Sequence, residues 1–416
     1  MPSNFIAELQ WRGMIHDIMP GTEEALLKKV SAGYIGFDPT ADSLHVGHLV
    51  QIMTLVHFQR AGHKPYALVG GATGMVGDPS GKSQERNLLD AATLDHNVAC
   101  VRKQLEAFLD FDCGANSAEM VNNYDWFKNM SFLDFIRDVG KHISVNYMMA
   151  KDSVKKRLET GMSFTEFSYQ LVQGYDFYHL NQHHNCILQL GGSDQWGNLT
   201  SGTDLIRKVE GASAHILATP LITNSDGKKF GKSEGNAIWL DEDLTSPYAF
   251  YQFWLNVEDA DVVDRLKVFT FLTRAEIDAL AAQTADTPHL RAAQKRLAFE
   301  VTALVHSPEA AQAAVDASAA LFGQGDLEAL DAATLESALR ELPYADAAPE
   351  TPIAQLLLDT GLVASVSAGR RAIAEGGVYL NNVKVDDEAA LAGAWLHGKF
   401  AVLRRGKKTL AGLFRV

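Results

Sequence analysis

Two histidines three residues apart, His45 and His48, offer the first chemistry in this chain. They follow a short apolar stretch and a Pro-containing turn (Tyr34 to Ser43), and after them apolar residues fall at Leu49, Ile52, Met53 and Val56 until Gly62. That spacing predicts a helix with the two imidazoles side by side near its first turn. Unpaired amides and the helix dipole favour an anion there, and imidazoles add donors. Gly47 leaves the space between them to bare backbone, so the turn reads as the floor of an ATP site. Taken alone, the same pattern fits two polar surface residues equally well.

Three further clusters carry chemistry. Gly70 to Ser83 ends in Gly81-Lys82-Ser83, but the phosphate-binding GxxxxGKS motif needs glycine where Val76 stands, so that assignment fails on spacing. Gly70, Gly71, Gly74 and Gly77 still let backbone approach a ligand, with Asp78, Lys82 and Arg86 beyond. Tyr169, Gln173 and Asp176, four and three apart on a helix predicted over 164–180, form one polar stripe. A phenol, an amide and a carboxylate suit a small molecule bearing an amine and a hydroxyl better than they suit water. Asp194, just after Gly191-Gly192 at the end of a strand, stands where a ribose-binding carboxylate would. The loop Asp226 to Gly235 holds three glycines and three lysines, a composition for moving positive charge onto phosphates. Lys151, Lys155, Lys156 and Arg157 read as a solvated basic helix face.

The elements that must position these groups are those of an α/β protein. Helices over 4–14 and 23–30 lead to a first strand, and Lys64–Gly71 and Cys186–Leu190 read as buried strands joined by right-handed parallel crossovers. Residues 90–160 form a mainly helical insertion with apolar aromatic stretches at Tyr124 to Phe127 and Phe132 to Ile136, suited to subunit contacts. Helices from Pro247 to Leu321 form a packing layer, 323–350 a connector, and a new unit begins at Thr351. With 416 residues, 47% hydrophobic and 21% charged, the chain is long enough for two or three domains. The apolar runs are too short for a membrane span and the first residues lack a basic signal head, so the expected location is cytoplasmic. Cys100, Cys113 and Cys186 form no CxxC pair and read as three buried thiols. The net charge is −14, yet residues 351–416 hold nine Lys/Arg against five Asp/Glu, a basic module on an acidic body.

Together these features resemble the bacterial tyrosyl-tRNA synthetases, a family of class I aminoacyl-tRNA synthetases, over essentially the whole chain. His45-Val46-Gly47-His48 is similar to the class signature HIGH, and Lys229-Phe230-Gly231-Lys232-Ser233 to KMSKS; Gly36 to Leu44 and Gly191 to Asn198 resemble segments of the tyrosine enzymes. The resemblance implies a Rossmann-like parallel-sheet catalytic domain over 1–220 with a helical dimer insertion at about 90–160. It further implies a mobile lysine loop and helical domain over 221–322, a linker, and a small α+β RNA-binding domain over 351–416. It implies that Tyr34 and Asp176 hold a substrate phenol, that Tyr169, Asp78 and Gln173 hold its ammonium, and that Gln195 lies near the carboxylate. Gly36, Gly192 and Lys232 would meet ATP, Asp38 and Asp194 its ribose or the amino acid's surroundings, and the catalytic His48 would lie near the ribose, while Thr40, His45, Lys82, Arg86, Lys229 and Lys232 would stabilise departing pyrophosphate, with Mg2+ accompanying ATP. Lys151, Arg207 and Lys208 would touch the acceptor stem of tRNA(Tyr), and Arg370, Arg371, Arg404, Arg405, Lys407 and Lys408 its anticodon and variable arms. L-tyrosine, ATP and tRNA(Tyr) are the implied partners, with a homodimer and no membrane. Ile35 departs from the pattern, standing where many relatives have cysteine, so any bond from that side chain to the ribose is missing. A tryptophan enzyme, a nucleotidyltransferase sharing the HxGH turn, and a non-catalytic RNA-binding scaffold are the rivals. The Tyr34 and Asp176 pair suits a phenol, the basic module suits tRNA, and intact His45, His48, Lys229 and Lys232 would be idle in a scaffold.

Overall fold

The computed structural model describes residues 3–80, 89–158, 161–224, 230–233, 236–387, 392–406 and 409–416. They fall into two units, one of residues 1–241 with 258–282, the other of 242–257 with 283–416.

The first unit is built on a six-stranded sheet of β1 (Asp17–Ile18), β2 (Ala32–Phe37), β3 (Lys64–Val69), β4 (Glu119–Asn122), β5 (Cys186–Gly192) and β6 (His215–Thr219), in the order β1-β6-β5-β2-β3-β4. All neighbours run parallel except β1 against β6. Strands covered on both faces read as nearly continuous apolar runs, and Tyr34, Ile35, Ala67, Leu68, Leu188 and Leu190 are all buried. The chain leaves β2 towards β3 on one side and returns at β5 on the other, so the strand order reverses between β2 and β5. A crevice opens outside the carboxyl ends of strands at such a switch point. The helix after β2, Val46–Arg60, buries Leu49, Ile52, Met53 and Val56 as the spacing requires, and also Val50, Leu55 and Phe58, because it is covered on more than one face.

Several expectations change. The 90–160 insertion is mainly helical and also contributes β4, which pairs with β3 and extends the sheet. Cys186 is buried, Cys100 is half-buried and Cys113 is exposed. Arg157 does not sit on a solvated face; its guanidinium forks onto Glu166 at 2.8 and 2.9 Å with both side chains buried. Glu166 lies in the first turn of the helix Phe164–His184, where the dipole also favours a carboxylate. Ser163 caps that helix by accepting from Glu166 N at 3.1 Å. Ser163→Ala is expected to cost about 1 kcal/mol, read as a lower midpoint in thermal or urea unfolding.

In the second unit, helices Pro247–Leu255, Ala292–Val305 and Pro308–Leu321 precede a five-stranded sheet of Tyr344–Ala347, Val378–Leu380, Val383–Lys384, Phe400–Arg405 and Thr409–Arg415. Helices Ile353–Asp359 and Val366–Ala374 cover it through Ile353, Leu356, Leu357 and Ile373. The 323–350 stretch is more than a connector. It holds the helix Ala332–Arg340 and the strand Tyr344–Ala347, which pairs in parallel with Gly412–Arg415. A side chain at Gly412 would sit 2.9 Å from the Leu339 carbonyl, so the glycine lets helix and sheet meet. The module is thus assembled from residues well before the composition changes.

Candidate active site

β2 delivers Tyr34 and, past its end, Asp38 to the crevice; β5 delivers Gly192 and, through the short turn Ser193–Gln195, Asp194 and Gln195. The helix Phe164–His184 lays Tyr169 and Asp176 across the same space, both buried, with Gln173 between them. The stripe legible in the spacing is therefore inside the molecule.

At one end of the crevice lies a phenol and a carboxyl. Tyr34 is 1% exposed and its Oη has no hydrogen-bond partner among the described residues. Burial holds its pKa well above the ordinary phenol value, and the nearby Asp176 carboxyl adds to this. Asp176 accepts from Trp126 Nε1 at 3.0 Å and from Asn123 Nδ2 at 3.1 Å. Burial pushes its carboxyl up to about 8, although those two donors pull the other way. An orphan hydroxyl costs about 1–3 kcal/mol when buried, so the geometry is that of a receptor for another hydroxyl.

A second polar network surrounds the middle of the crevice. Asp38 accepts from Tyr169 Oη at 2.7 Å and from Thr73 Oγ1 at 2.6 Å. Asp78, 8% exposed, accepts from Ser80 N at 3.0 Å, Gln195 Nε2 at 2.7 Å and Asn198 Nδ2 at 3.3 Å. Two carboxylates within one buried array suit a bound cation such as an ammonium group. A side chain at Gly70 would collide with Asp38 and Thr73, and one at Gly71 with Asn122, which explains those glycines without invoking a phosphate.

The histidine turn is built by its own hydrogen bonds. His45 caps the helix, its Nδ1 accepting from Gly47 N at 3.0 Å, while His48 Nδ1 accepts from His45 N at 3.1 Å. With both Nδ1 atoms accepting, each neutral ring carries its proton on Nε2. The rings lie 4.0 Å apart. A Cβ at Gly47 would fall 2.7 Å from His45 Cε1, so only glycine fits. The lysine loop reaches this turn: at Gly231, whose φ of +87° also demands glycine, an added Cβ would lie 3.2 Å from Gly47 N. Ile238 N donates to the Gly231 carbonyl, and Val46 N to the Ile238 carbonyl. Phe230 is buried, stacked on Phe269 at 5.6 Å with the Arg265 guanidinium 4.7 Å above its ring.

The other expected residues are placed unevenly. Thr40 and Gly36 are exposed at the crevice side of β2, and Asp194 is exposed beside Gly192, whose Cβ would meet Asp194 Oδ1 at 2.6 Å. Lys82, Arg86, Lys229, Lys407 and Lys408 lie outside the described residues, and only the backbone of Lys232 lies within them. The ammonium of Lys151 is turned inward onto the Gly197 carbonyl and Ser201 Oγ, 8% exposed, and burial lowers its pKa to about 8. That placement does not fit the phosphate contact expected of it. Arg207 and Lys208 both pair with Asp204, and Lys208 also donates to the His142 carbonyl. Arg370 and Arg371 are exposed, Arg405 donates to the Leu362 carbonyl at 2.6 Å, and Arg404 stacks 4.2 Å over Tyr379. Sequence reasoning missed Thr73, Asn123, Trp126 and Asn198. The run Asn122 to Phe127 mixes amides, a carboxylate and aromatics, a signal that the apolar reading of this stretch passed over.

A parallel sheet with its crevice at a switch point and a capped HxGH turn with Gly231 lying against it define a class. The chain belongs to the tRNA synthetases class I (W and Y), whose family model matches residues 28–323. Within that family it stands with the tyrosine members. A second model, the tyrosine--tRNA ligase SYY-like C-terminal domain, matches residues 334–411. A tyrosine--tRNA ligase of Bacteroides fragilis (strain YCH46) is 56% identical, covering 97% of this chain and 98% of the relative. One from Porphyromonas gingivalis (strain ATCC BAA-308 / W83) is also 56% identical, with 98% of each covered. Among solved structures, a C-terminally truncated mitochondrial tyrosyl-tRNA synthetase of Aspergillus nidulans superposes with a TM-score of 0.68 at 32% identity, covering 75% of this chain and 92% of that one.

Proposed function

We infer that this chain activates L-tyrosine with ATP and transfers it to the terminal ribose of tRNA(Tyr). The tyrosine carboxylate attacks the α-phosphorus of ATP, the bond to the bridging oxygen breaks, and pyrophosphate leaves. A terminal ribose hydroxyl of the tRNA then attacks the carbonyl of the adenylate and AMP leaves. No side-chain nucleophile is needed; catalysis comes from positioning and from donors aimed at developing charge.

The observation that carries this reading is the buried Tyr34 Oη, without a hydrogen-bond partner among the described residues, beside Asp176, whose oxygens are already oriented by Trp126 and Asn123. A tyrosine hydroxyl accepts from Tyr34 and donates to Asp176; phenylalanine leaves both unsatisfied, and an indole has no hydroxyl to place there. Asp78, Gln173 and Tyr169 take the ammonium, with Gln195 at the carboxylate. Gly36, Gly192 and Asp194, with the Nε2 donor of His48, receive the nucleoside, Asp38 lies where the ribose meets the amino acid, and the Nε2 donor of His45, with Thr40, Lys82, Arg86, Lys229 and Lys232, receives the phosphates. Mg2+ comes with ATP as part of the substrate; the carboxylates of this crevice are committed to other partners. The exposed Arg370 and Arg371, with Arg207, Lys208, Arg404, Arg405, Lys407 and Lys408, serve the tRNA backbone. The insertion exposes Phe132, Leu133, Ile136 and Val145, more apolar surface than a solvated face needs, and supports a homodimer. No helix among the described residues is long and apolar enough to cross a membrane, which is compatible with a cytoplasmic location.

Amino-acid-dependent ATP–pyrophosphate exchange tests the reading. Tyrosine is expected to support exchange and tryptophan and phenylalanine are not. Exchange with none of the three would leave an RNA-binding scaffold as the better account, and exchange with tryptophan would reassign the pocket.

A further inference from the structure

Trp126 is an unusual holder for a buried carboxyl. It comes from a helical turn of four residues, Tyr124–Phe127, none of them fully buried. So short a helix has no stability of its own, and fixing the indole falls to side-chain contacts. One edge of it donates to Asp176 at 3.0 Å. One face is stacked on the His179 imidazole, centroids 4.4 Å apart and planes 17° from parallel. His179 lies three residues beyond Asp176 on the helix Phe164–His184, so the stacking ring and the accepting carboxyl project side by side from one rigid element. His183, one turn further on, packs against His179 at 4.3 Å, and Phe127 of the same turn packs on Tyr175 at 5.3 Å.

We propose that His179 is a positioning residue for amino-acid selection: its ring holds the Trp126 indole flat, so that the indole N–H stays aimed at Asp176. The proposal rests on the tyrosine-pocket reading above and deepens it. His179 touches no substrate. Its work is to keep one of two donors on the acceptor that distinguishes a phenol from a phenyl ring. A flat ring without charge suits that task, and burial, with His183 and His184 alongside, lowers the His179 pKa to about 4. The contact requires a planar ring rather than imidazole chemistry, so phenylalanine at this position is expected to do the same.

The test is exchange kinetics on the full chain for wild type, His179→Ala, His179→Phe, Trp126→Phe and the double variant His179→Ala with Trp126→Phe. His179→Ala is expected to raise KM for tyrosine several-fold, leave KM for ATP unchanged and narrow the preference for tyrosine over phenylalanine, whereas His179→Phe restores wild-type values. In the Trp126→Phe background, where no indole N–H remains to be aimed, His179→Ala is expected to add nothing further. An unchanged KM for tyrosine in His179→Ala, equal losses in the Ala and Phe variants, parallel rises in both KM values, or additive effects in the double variant would each overturn the proposal. Wild-type protein that fails to exchange with tyrosine overturns the functional reading itself, a separate result. His179→Phe keeps the ring and its volume, so it reports even where His179→Ala folds poorly.

Discussion

Asp176→Asn is expected to raise KM for tyrosine about ten- to a hundredfold, the loss of a hydrogen bond to a charged group, with KM for ATP almost unchanged. The carboxyl presents two oxygens on which two donors converge, Asn123 Nδ2 and Trp126 Nε1, and in the proposed complex the substrate hydroxyl is a third. An amide has one oxygen and would turn its NH2 towards at least one of those donors, so a neighbour is left unsatisfied before substrate arrives. Tyrosine then loses its advantage over phenylalanine. The tyrosine enzymes of this class are the standard example of such discrimination, about 10⁵-fold without editing, a magnitude taken from that class. Equal rises in KM for tyrosine and for ATP would sink the assignment.

The same carboxyl gives the step a pH signature. Burial holds Asp176 at about 8 in the free site. Tyrosine brings a hydroxyl that must donate to the ionised form, so binding lowers this pKa and releases a proton wherever the free site is still protonated. Apparent KM for tyrosine therefore falls as pH rises towards 8, by at most about tenfold per pH unit, and levels off above it. Asp176→Asn has no proton to lose there and is expected to show no such slope. A wild-type profile flat from pH 6.5 to 8.5 would show that the carboxyl is already ionised.

Ending the chain after Phe322 is expected to reduce tRNA charging by at least on the order of a hundredfold, through loss of phosphate contacts, while sparing tyrosine-dependent exchange. The cut belongs there and not at Thr351, where the composition turns basic. A chain ending at 350 keeps the strand Tyr344–Ala347 but strips away its partner Gly412–Arg415, and it uncovers the Ala332–Arg340 helix against which Gly412 packs. An exposed, unpaired strand invites aggregation, and lost exchange would then report misfolding rather than function. Loss of charging and exchange together in the Phe322 truncation, with its melting transition intact, would make the module part of the catalytic body.

Local chemistry was readable in the sequence wherever one element carries it. His45 and His48 cap one helix and each other through bonds spanning two and three residues, and Tyr169, Gln173 and Asp176 share a face because 3.6 residues make a turn. The strand end at Gly191-Gly192 and the parallel crossovers follow from the same short-range rules. Only the tertiary structure brought Asn123 and Trp126 to a carboxyl about fifty residues from each, set Thr73 between Asn123 and Asp38, or half-buried the imidazole of His179 behind an indole. Only it could decide the fate of the charges around residue 155. Lys151 and Arg157 read as a solvated face by composition, yet each is buried, because Gly197 and Ser201 supply oxygens to one and Glu166 a carboxylate to the other. A charge goes inside when a partner meets its desolvation cost; for Arg157 that partner lies nine residues away across a helix start, and for Lys151 the partners lie 46 and 50 residues away, beyond any window of neighbouring residues.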